Sequence, residues 1–224
     1  MLIDTHAHLY AKEFSEDREA MLQRAKEAGV SKVFLPNIDN SSIEAMHNLE
    51  AKYPNFCIAM MGLHPCYVKA NYEAELAIVE GHLSKRSYPA IGEIGIDLYW
   101  DKSTLPQQII AFERQIKWAI DLDIPIVIHS RNSTSEVLEV LRKHQSPKLR
   151  GIFHCFGGSV AEAEAIIELG FYLGIGGVLT FKKSGLAATL ESINLNHLVL
   201  ETDAPYLAPT PYRGKRNESS YIKL

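Results

Sequence analysis

The chain has little that would bind it to a membrane, a secretory route or a polyanion. Only three of its 224 residues are cysteine, Cys57, Cys66 and Cys155. They share no repeated spacing and leave one odd, which argues against a disulfide framework and fits a reducing compartment. No apolar run is long enough to span a bilayer. The N-terminus passes from Met1 straight into Leu2-Ile3-Asp4-Thr5-His6, without the charged and then apolar stretch of a signal peptide. Cytoplasmic residence, with no membrane association, is the expectation. An excess of basic residues is also missing: 23 Lys and Arg against 27 Asp and Glu leave a net charge of −4. A phosphate-bearing partner must therefore be met by local groups or metals and not by the field of the whole molecule. Finally, no Pro/Ser-rich linker, composition shift or internal repeat divides the chain, so residues 1–224 read as a single domain. No obligate protein partner is evident.

What is present is an ordinary globular balance, 46% hydrophobic and 22% charged, arranged as short apolar runs alternating with segments of helical period. The strand-like runs are Leu2–Asp4, Lys32–Leu35, Phe56–Met61, Ala90–Ile94, Ile124–Ile128, Gly151–Phe153, Phe171–Gly174 and Leu198–Leu200. Amphipathic stretches lie between them, at Asp17–Ala28, Ser42–Lys52, Glu73–Leu83, Leu105–Asp121, Glu136–Lys143 and Ala161–Leu169, with Gly29 and Gly170 placed as helix C-caps. Eight such units predict an α/β fold, a compact (β/α)₈ TIM barrel; a doubly wound open sheet has the same rhythm.

In both architectures functional groups gather where strands end. The residues expected there are Asp4-Thr5-His6-Ala7-His8, Gly62-Leu63-His64-Pro65, Gly92-Glu93-Ile94-Gly95-Ile96-Asp97, Ile128-His129-Ser130-Arg131, Phe153-His154-Cys155-Phe156 and Glu201-Thr202-Asp203-Ala204-Pro205. Five histidines and several carboxylates are thereby placed on one rim. His6 and His8 are two residues apart, the period of a strand, so one cation can meet both. Imidazole with carboxylate suits Zn²⁺, Mn²⁺, Ni²⁺ or Fe²⁺, whereas Mg²⁺ normally takes more oxygen. Glu93 has two oxygens to share between cations, and His129, His154 and Asp203 complete a ligand set. A lone histidine at a strand end is more often a hydrogen-bonded packing residue; the conjunction of five is what points to metal. His47, His82, His144 and His197 show no such placement and read as surface or packing residues.

These motifs, running in order from Asp4 to Tyr206 and ending in Leu200-Glu201-Thr202-Asp203-Ala204-Pro205-Tyr206, resemble those of the TatD family of metal-dependent deoxyribonucleases, within the amidohydrolase-like barrels. The resemblance covers nearly the whole chain. It implies two divalent cations (Mg²⁺, Mn²⁺ or Zn²⁺): His6, His8, Glu93 and Asp203 holding one, Glu93, His129 and His154 the other, with His64 touching the substrate phosphate or assisting a further metal. Many members of the wider superfamily bridge their metals with a carboxylated lysine at strand four; here that place holds Glu93.

The expected chemistry is hydrolysis of a DNA phosphodiester at single-stranded or frayed ends, with the 3′→5′ polarity the family implies. Glu93 and Asp203 are the catalytic carboxylates, Asp203 as proton acceptor for a metal-activated water. Tyr99 and Trp100 are candidates to stack on a base, and Arg131 to contact phosphate. Arg213, Lys215 and Arg216 read as a solvated charged loop. Cys155 reads as a packed thiol and Gly157-Gly158 as a tight loop. The alternatives are an amide, lactone or small phosphoester hydrolase with the same metals, or a metal- or nucleic-acid-binding protein without turnover. A purely structural metal site would be closed and would not draw on five strands. At the C-terminus, Asn217-Glu218-Ser219-Ser220-Tyr221-Ile222-Lys223-Leu224 reads as a cap and the first turn of a helix that then stops. The expectation is a barrel lacking its final helix, with a truncated C-terminus.

Overall fold

Parallel strands cannot be joined by tight hairpins, so each crossover needs room for a helix, and this chain supplies an α-helix after every strand but the last. The computed structural model describes residues 1–224. Its strands are β1 (Leu2–Asp4), β2 (Val30–Leu35), β3 (Cys57–Ala59), β4 (Ile91–Asp97), β5 (Ile126–Arg131), β6 (Gly151–Phe153), β7 (Phe171–Ile175) and β8 (Leu198–Leu200). The helices are α1 (Arg18–Glu27), α2 (Asn40–Lys52), α3 (Tyr72–Leu83), α4 (Leu105–Leu122), α5 (Thr134–Lys143), α6 (Val160–Glu168) and the short α7 (Leu186–Leu190). After β8 a long loop leads to a single 3₁₀ turn, Ser219–Lys223.

The strands pair in parallel as two arcs, β1-β2-β3 and β4-β5-β6-β7-β8. Two seams join the arcs. Met61 bridges in parallel to Ile91; across the other seam the Thr5 amide donates to the Leu200 carbonyl at 3.1 Å and the Asp203 amide to the His6 carbonyl at 2.9 Å. The ring is a (β/α)₈ TIM barrel, the expected fold. No helix is long and apolar enough to cross a membrane.

Local chemistry accounts for the helix boundaries. In α2 the Asp39 carboxylate accepts from the Ser41 amide at 2.9 Å while Ser42 Oγ accepts from the Asp39 amide at 3.2 Å, a capping box. Ser159 and Glu162 repeat it at α6. Gly29 and Gly170 follow α1 and α6 with φ of +90° and +84°, as expected of C-caps. The strands depart from expectation in length and register. β3 is shorter than Phe56–Met61. β4 runs on past Ile94 to Asp97 and β5 past Ile128 to Arg131, so His129 stands within a strand and not beyond its end, while Glu93 lies inside β4 as expected. The reason is packing: all seven residues of β4 are buried, and Gly95 (φ +137°) lets β5 approach so closely that a Cβ there would lie 2.1 Å from the His129 carbonyl oxygen. Apolar runs mark the interior but do not mark where a strand buried on both faces ends.

Candidate metal centre

Glu93 projects from the middle of β4 into the barrel mouth with 2% of its side chain exposed, and five histidines from four other strands and loops surround it. Its Oε2 lies 3.1 Å from His6 Nε2 and 3.6 Å from His8 Nε2. Its Oε1 lies 2.9 Å from His129 Nδ1, 3.2 Å from His64 Nε2 and 3.4 Å from His154 Nε2. Asp203 closes the first side, with Oδ1 3.8 Å from His6 Nε2 and 3.6 Å from His8 Nε2; its backbone is left-handed, φ +57°, which turns the carboxylate in from the loop after β8. His6 and His8 lie just beyond β1, in the loop that follows it, with their Nε2 atoms 3.3 Å apart.

Burial pushes the pKa of His6, His8, His64 and His154 down, so these imidazoles are neutral and their lone pairs are available. Burial also drives the Asp203 carboxyl up to about 7, with the charges of Glu93 and Glu201 adding to the effect. For Glu93 burial acts upward too, but the pull of His64, His154 and His6 whenever they carry a proton, with the hydrogen bond from His129, outweighs it and lowers the carboxylate. His6 Nε2, His8 Nε2, Glu93 Oε2 and Asp203 Oδ1 form pairs 3.1–3.8 Å apart. Atoms that each stand about 2.1 Å from one ion are separated by about 3.0–3.4 Å. The donor set therefore fits a cation in chemistry, and in spacing two of the five separations fall in that range while the other three exceed it by 0.2–0.4 Å.

Three triads of donor atoms converge within 4.8 Å: His6, His8 and Asp203; His6, Glu93 and His154; and His64, Glu93 and His129. These triads overlap at His6 and Glu93 and add His64 to the expected residues. His154 faces His6, their rings stacked at 3.6 Å between centroids, and stands 6.1 Å from the His129 ring.

Each outward imidazole nitrogen of three of these histidines is held. Tyr10 Oη lies 3.0 Å from His8 Nδ1 and itself donates to the Pro36 carbonyl at 2.5 Å, Asp97 Oδ2 lies 2.8 Å from His129 Nε2, and Glu201 Oε1 lies 3.1 Å from His154 Nδ1. Burial alone would lower His129, yet its hydrogen bonds to Asp97 and Glu93 raise it to about 9. His64 differs in kind. The Cys66 amide donates to its Nδ1 at 3.0 Å, so in the neutral ring the proton sits on Nε2 and points at Glu93. His64 is thus a donor to the site in this tautomer, whereas His154 and His8 turn their Nε2 lone pairs inward.

A family model described as TatD related DNase matches residues 3–224. The chain belongs to the TatD related DNase family. It is 37% identical over its full length to an uncharacterized metal-dependent hydrolase of Bacillus subtilis, YabD, covering 88% of that protein. It is 33% identical to the 3′-5′ ssDNA/RNA exonuclease TatD of Edwardsiella piscicida, with 99% of this chain and 87% of that one aligned. Among solved structures, the TatD homologue YjjV of Escherichia coli superposes with a TM-score of 0.92 at 32% identity, covering 99% of this chain and 86% of that one. The chain is a metal-dependent hydrolase of the TatD family, with clusters able to bind metal.

Of the residues expected to touch substrate in this TatD-family chain, His64, Arg131 and Trp100 line one open cavity of about 940 Å³ over the Glu93 donor cluster, together with Tyr67, Tyr206, Arg213 and Lys215. Trp100 is 70% and Tyr99 51% exposed; the Arg131 guanidinium lies 3.9 Å from the Tyr99 ring centroid. Cys155 is half-buried, its thiol pushed up by burial, and has no part in the cluster. His47 and His82 face each other on the outer helices, His144 faces Glu113, and neither they nor His197 come near the centre. The residues that sequence reasoning left without a role are Tyr10, Asp97 and Glu201. Asp97 stands four residues from Glu93 and Glu201 two from Asp203, within the same strand-end motifs, and that nearness in sequence is the signal that could have found them.

Proposed function

We propose that this chain hydrolyses phosphodiester bonds in DNA, removing nucleotides from single-stranded 3′ ends. One observation carries the reading: the single carboxylate of Glu93 turns one oxygen to His6 and His8 and the other to His64, His129 and His154. That is the arrangement for sharing one ligand between two cations. Two divalent cations, if held there, would supply a water of lowered pKa and offset the charge of a phosphate. The protein's own groups do the rest. His6, His8, Glu93 and Asp203 hold one side of the centre and His129 the other, with His154 between them through its contacts to His6 and Glu93. Asp203 accepts the proton of the attacking water and returns it to the leaving oxygen. His64, its Nε2 proton fixed by the Cys66 amide, donates to a phosphate oxygen. Trp100 offers an exposed indole on which a base of any identity can stack, worth about 1–3 kcal/mol, and Arg131 meets the phosphate beside it.

The names of relatives support a nucleic-acid substrate, some being called 3′-5′ ssDNA/RNA exonucleases. The test is the purified protein, loaded in turn with Mg²⁺, Mn²⁺ and Zn²⁺, acting on 5′-labelled single-stranded DNA, the same sequence as RNA, and carboxylic and lactone esters. Stepwise shortening of the labelled strand from the 3′ side is expected, blocked by terminal phosphorothioates at that end. Turnover of the esters alone would overturn the reading in favour of an amide, lactone or ester hydrolase. Metal uptake with no turnover of any substrate would favour a binding protein.

A further inference from the structure

Across the ring from Arg131, the loop after β8 brings two more cations to the cavity mouth, Arg213 and Lys215. Nearby cations are neutralised: Lys69 lies 3.3 Å from Asp101, and Arg216 lies 2.7 Å from Asp17. Arg213 and Lys215 have no carboxylate partner, although the protein as a whole is acidic. Nor is this loop the solvated charge run that its composition suggests. The Arg213 guanidinium lies over the Phe181 ring at 3.7 Å and gives one N–H to the Ala208 carbonyl at 3.1 Å. The Thr210 amide donates to Thr180 Oγ1 at 2.8 Å, and Thr210 Oγ1 to the Thr180 carbonyl at 3.2 Å. At Gly177 the two loops meet so closely that a Cβ would lie 2.2 Å from the Leu207 carbonyl oxygen. The loop after β8 is thus stapled to the loop after β7, and the remaining guanidinium donors are held at the mouth before any ligand arrives, which lowers the ordering entropy of binding.

We infer that Arg213 and Lys215 form a second phosphate site, which takes the backbone phosphate adjoining the one cleaved at the Glu93 centre, so that the substrate class is a polynucleotide strand and not an isolated phosphodiester. The inference rests on the phosphodiesterase reading above. The two exposed cations are separate from the buried cluster that would hold the scissile group, and a chain of phosphates is the ligand that meets both at once.

Two measurements test it. In the first, the ratio of kcat/KM for a trinucleotide, with two phosphates, to that for a dinucleotide, with one, is compared between the natural protein and the Arg213→Ala/Lys215→Ala double variant. A gain of about tenfold or more from the second phosphate is expected in the natural protein, the scale of one or two charge-assisted hydrogen bonds, falling to near unity in the variant. A ratio near unity in the natural protein, or an unchanged ratio in the variant, overturns the second site. In the second, binding of a labelled all-phosphorothioate hexanucleotide is followed by anisotropy across a salt series. The slope of log K against log salt should shrink by about 0.7 for each phosphate that the variant no longer neutralises; an equal slope in both proteins overturns the site. Failure to cleave either short substrate would count against the phosphodiesterase reading itself, while the binding slopes still decide on the cations.

Discussion

Two clusters of charge, both assembled from segments far apart in the chain, answer opposite needs. At the rim, Glu93, Asp203 and five histidines turn their donor atoms toward one another. At the seam where the C-terminal segment meets α1, Arg24 lies 2.6 Å from Glu218 and 3.1 Å from Asp17, while Arg216 lies 2.7 Å from Asp17. The seam is complete in itself, two cations against two carboxylates. The rim is not: His8 and His154 turn lone pairs inward, and His6 Nδ1 and Glu201 Oε2 are buried with no partner. A self-neutral cluster ties segments together, and a cluster of converging donors is arranged for something brought from outside.

The sharpest way to break the contrast is Glu93→Gln. It removes the one charge that faces both sides of the rim, so metal content by elemental analysis should fall at both positions and turnover should drop by more than about 10⁴-fold, beyond the loss of a general base alone. Full metal content with near-native turnover would end the shared-ligand role. Next comes Asp203→Asn, which keeps the shape and one oxygen; kcat should fall by about 10²–10⁴-fold while metal persists on the His129 side. Near-native turnover in this variant would move the proton acceptor elsewhere.

A third substitution probes the outer partners. Glu201 Oε1 accepts from the Cys155 amide at 2.5 Å and faces His154 Nδ1, and it has room only because residue 174 is glycine, where a Cβ would lie 2.3 Å from Glu201 Oε2. Glu201→Ala should lose about 10–100-fold in metal affinity or activity, Gly174→Ala should lose a similar amount by displacing the same carboxylate, and Glu201→Gln, which keeps the acceptor oxygen, should restore much of it. If Gln does no better than Ala, orientation of His154 is not what Glu201 supplies.

The smallest effects belong to the seam. Arg24 is partly exposed and screened, so Arg24→Ala should cost about 1 kcal/mol, a fall in Tm of about 2–4 °C, with activity at saturating substrate unchanged. The hydrogen bonds from Arg216 and Arg24 hold the Asp17 carboxyl below its ordinary range. At Glu218 burial acts upward, but Arg24 and Ser220 outweigh it and the net shift is downward. A carboxyl with a depressed folded pKa adds stability that is present above its unfolded value, near about 4, and lost as pH falls through the folded one. Tm should therefore drop below about pH 4, and less steeply in Arg24→Ala than in the natural protein. Parallel acid limbs in the two proteins would show that the seam does not contribute.

Much of the barrel and of its rim is legible in the order of the residues alone. The alternation of eight apolar runs with six amphipathic stretches specifies the β/α rhythm, though not the short α7, because hydrophobic period is a local property, and the two-residue spacing of His6 and His8 marks them as a pair. His64, His129, His154 and Asp203 can be picked out as a set because polar groups that follow apolar runs collect at one rim in any parallel barrel. What a linear reading cannot supply is which oxygen of Glu93 meets which histidine, that His154 stacks on His6, that Asp97 and Glu201 fix the outer ring nitrogens, or that Arg213 is pinned on Phe181. Those facts depend on the closing of the ring across the β1/β8 and β3/β4 seams, on the approach of β4 and β5 at Gly95, and on the meeting of the loops after β7 and β8 at Gly177. Periodicity and spacing are written along the chain; distances between residues far apart in sequence exist only once the barrel has brought them together.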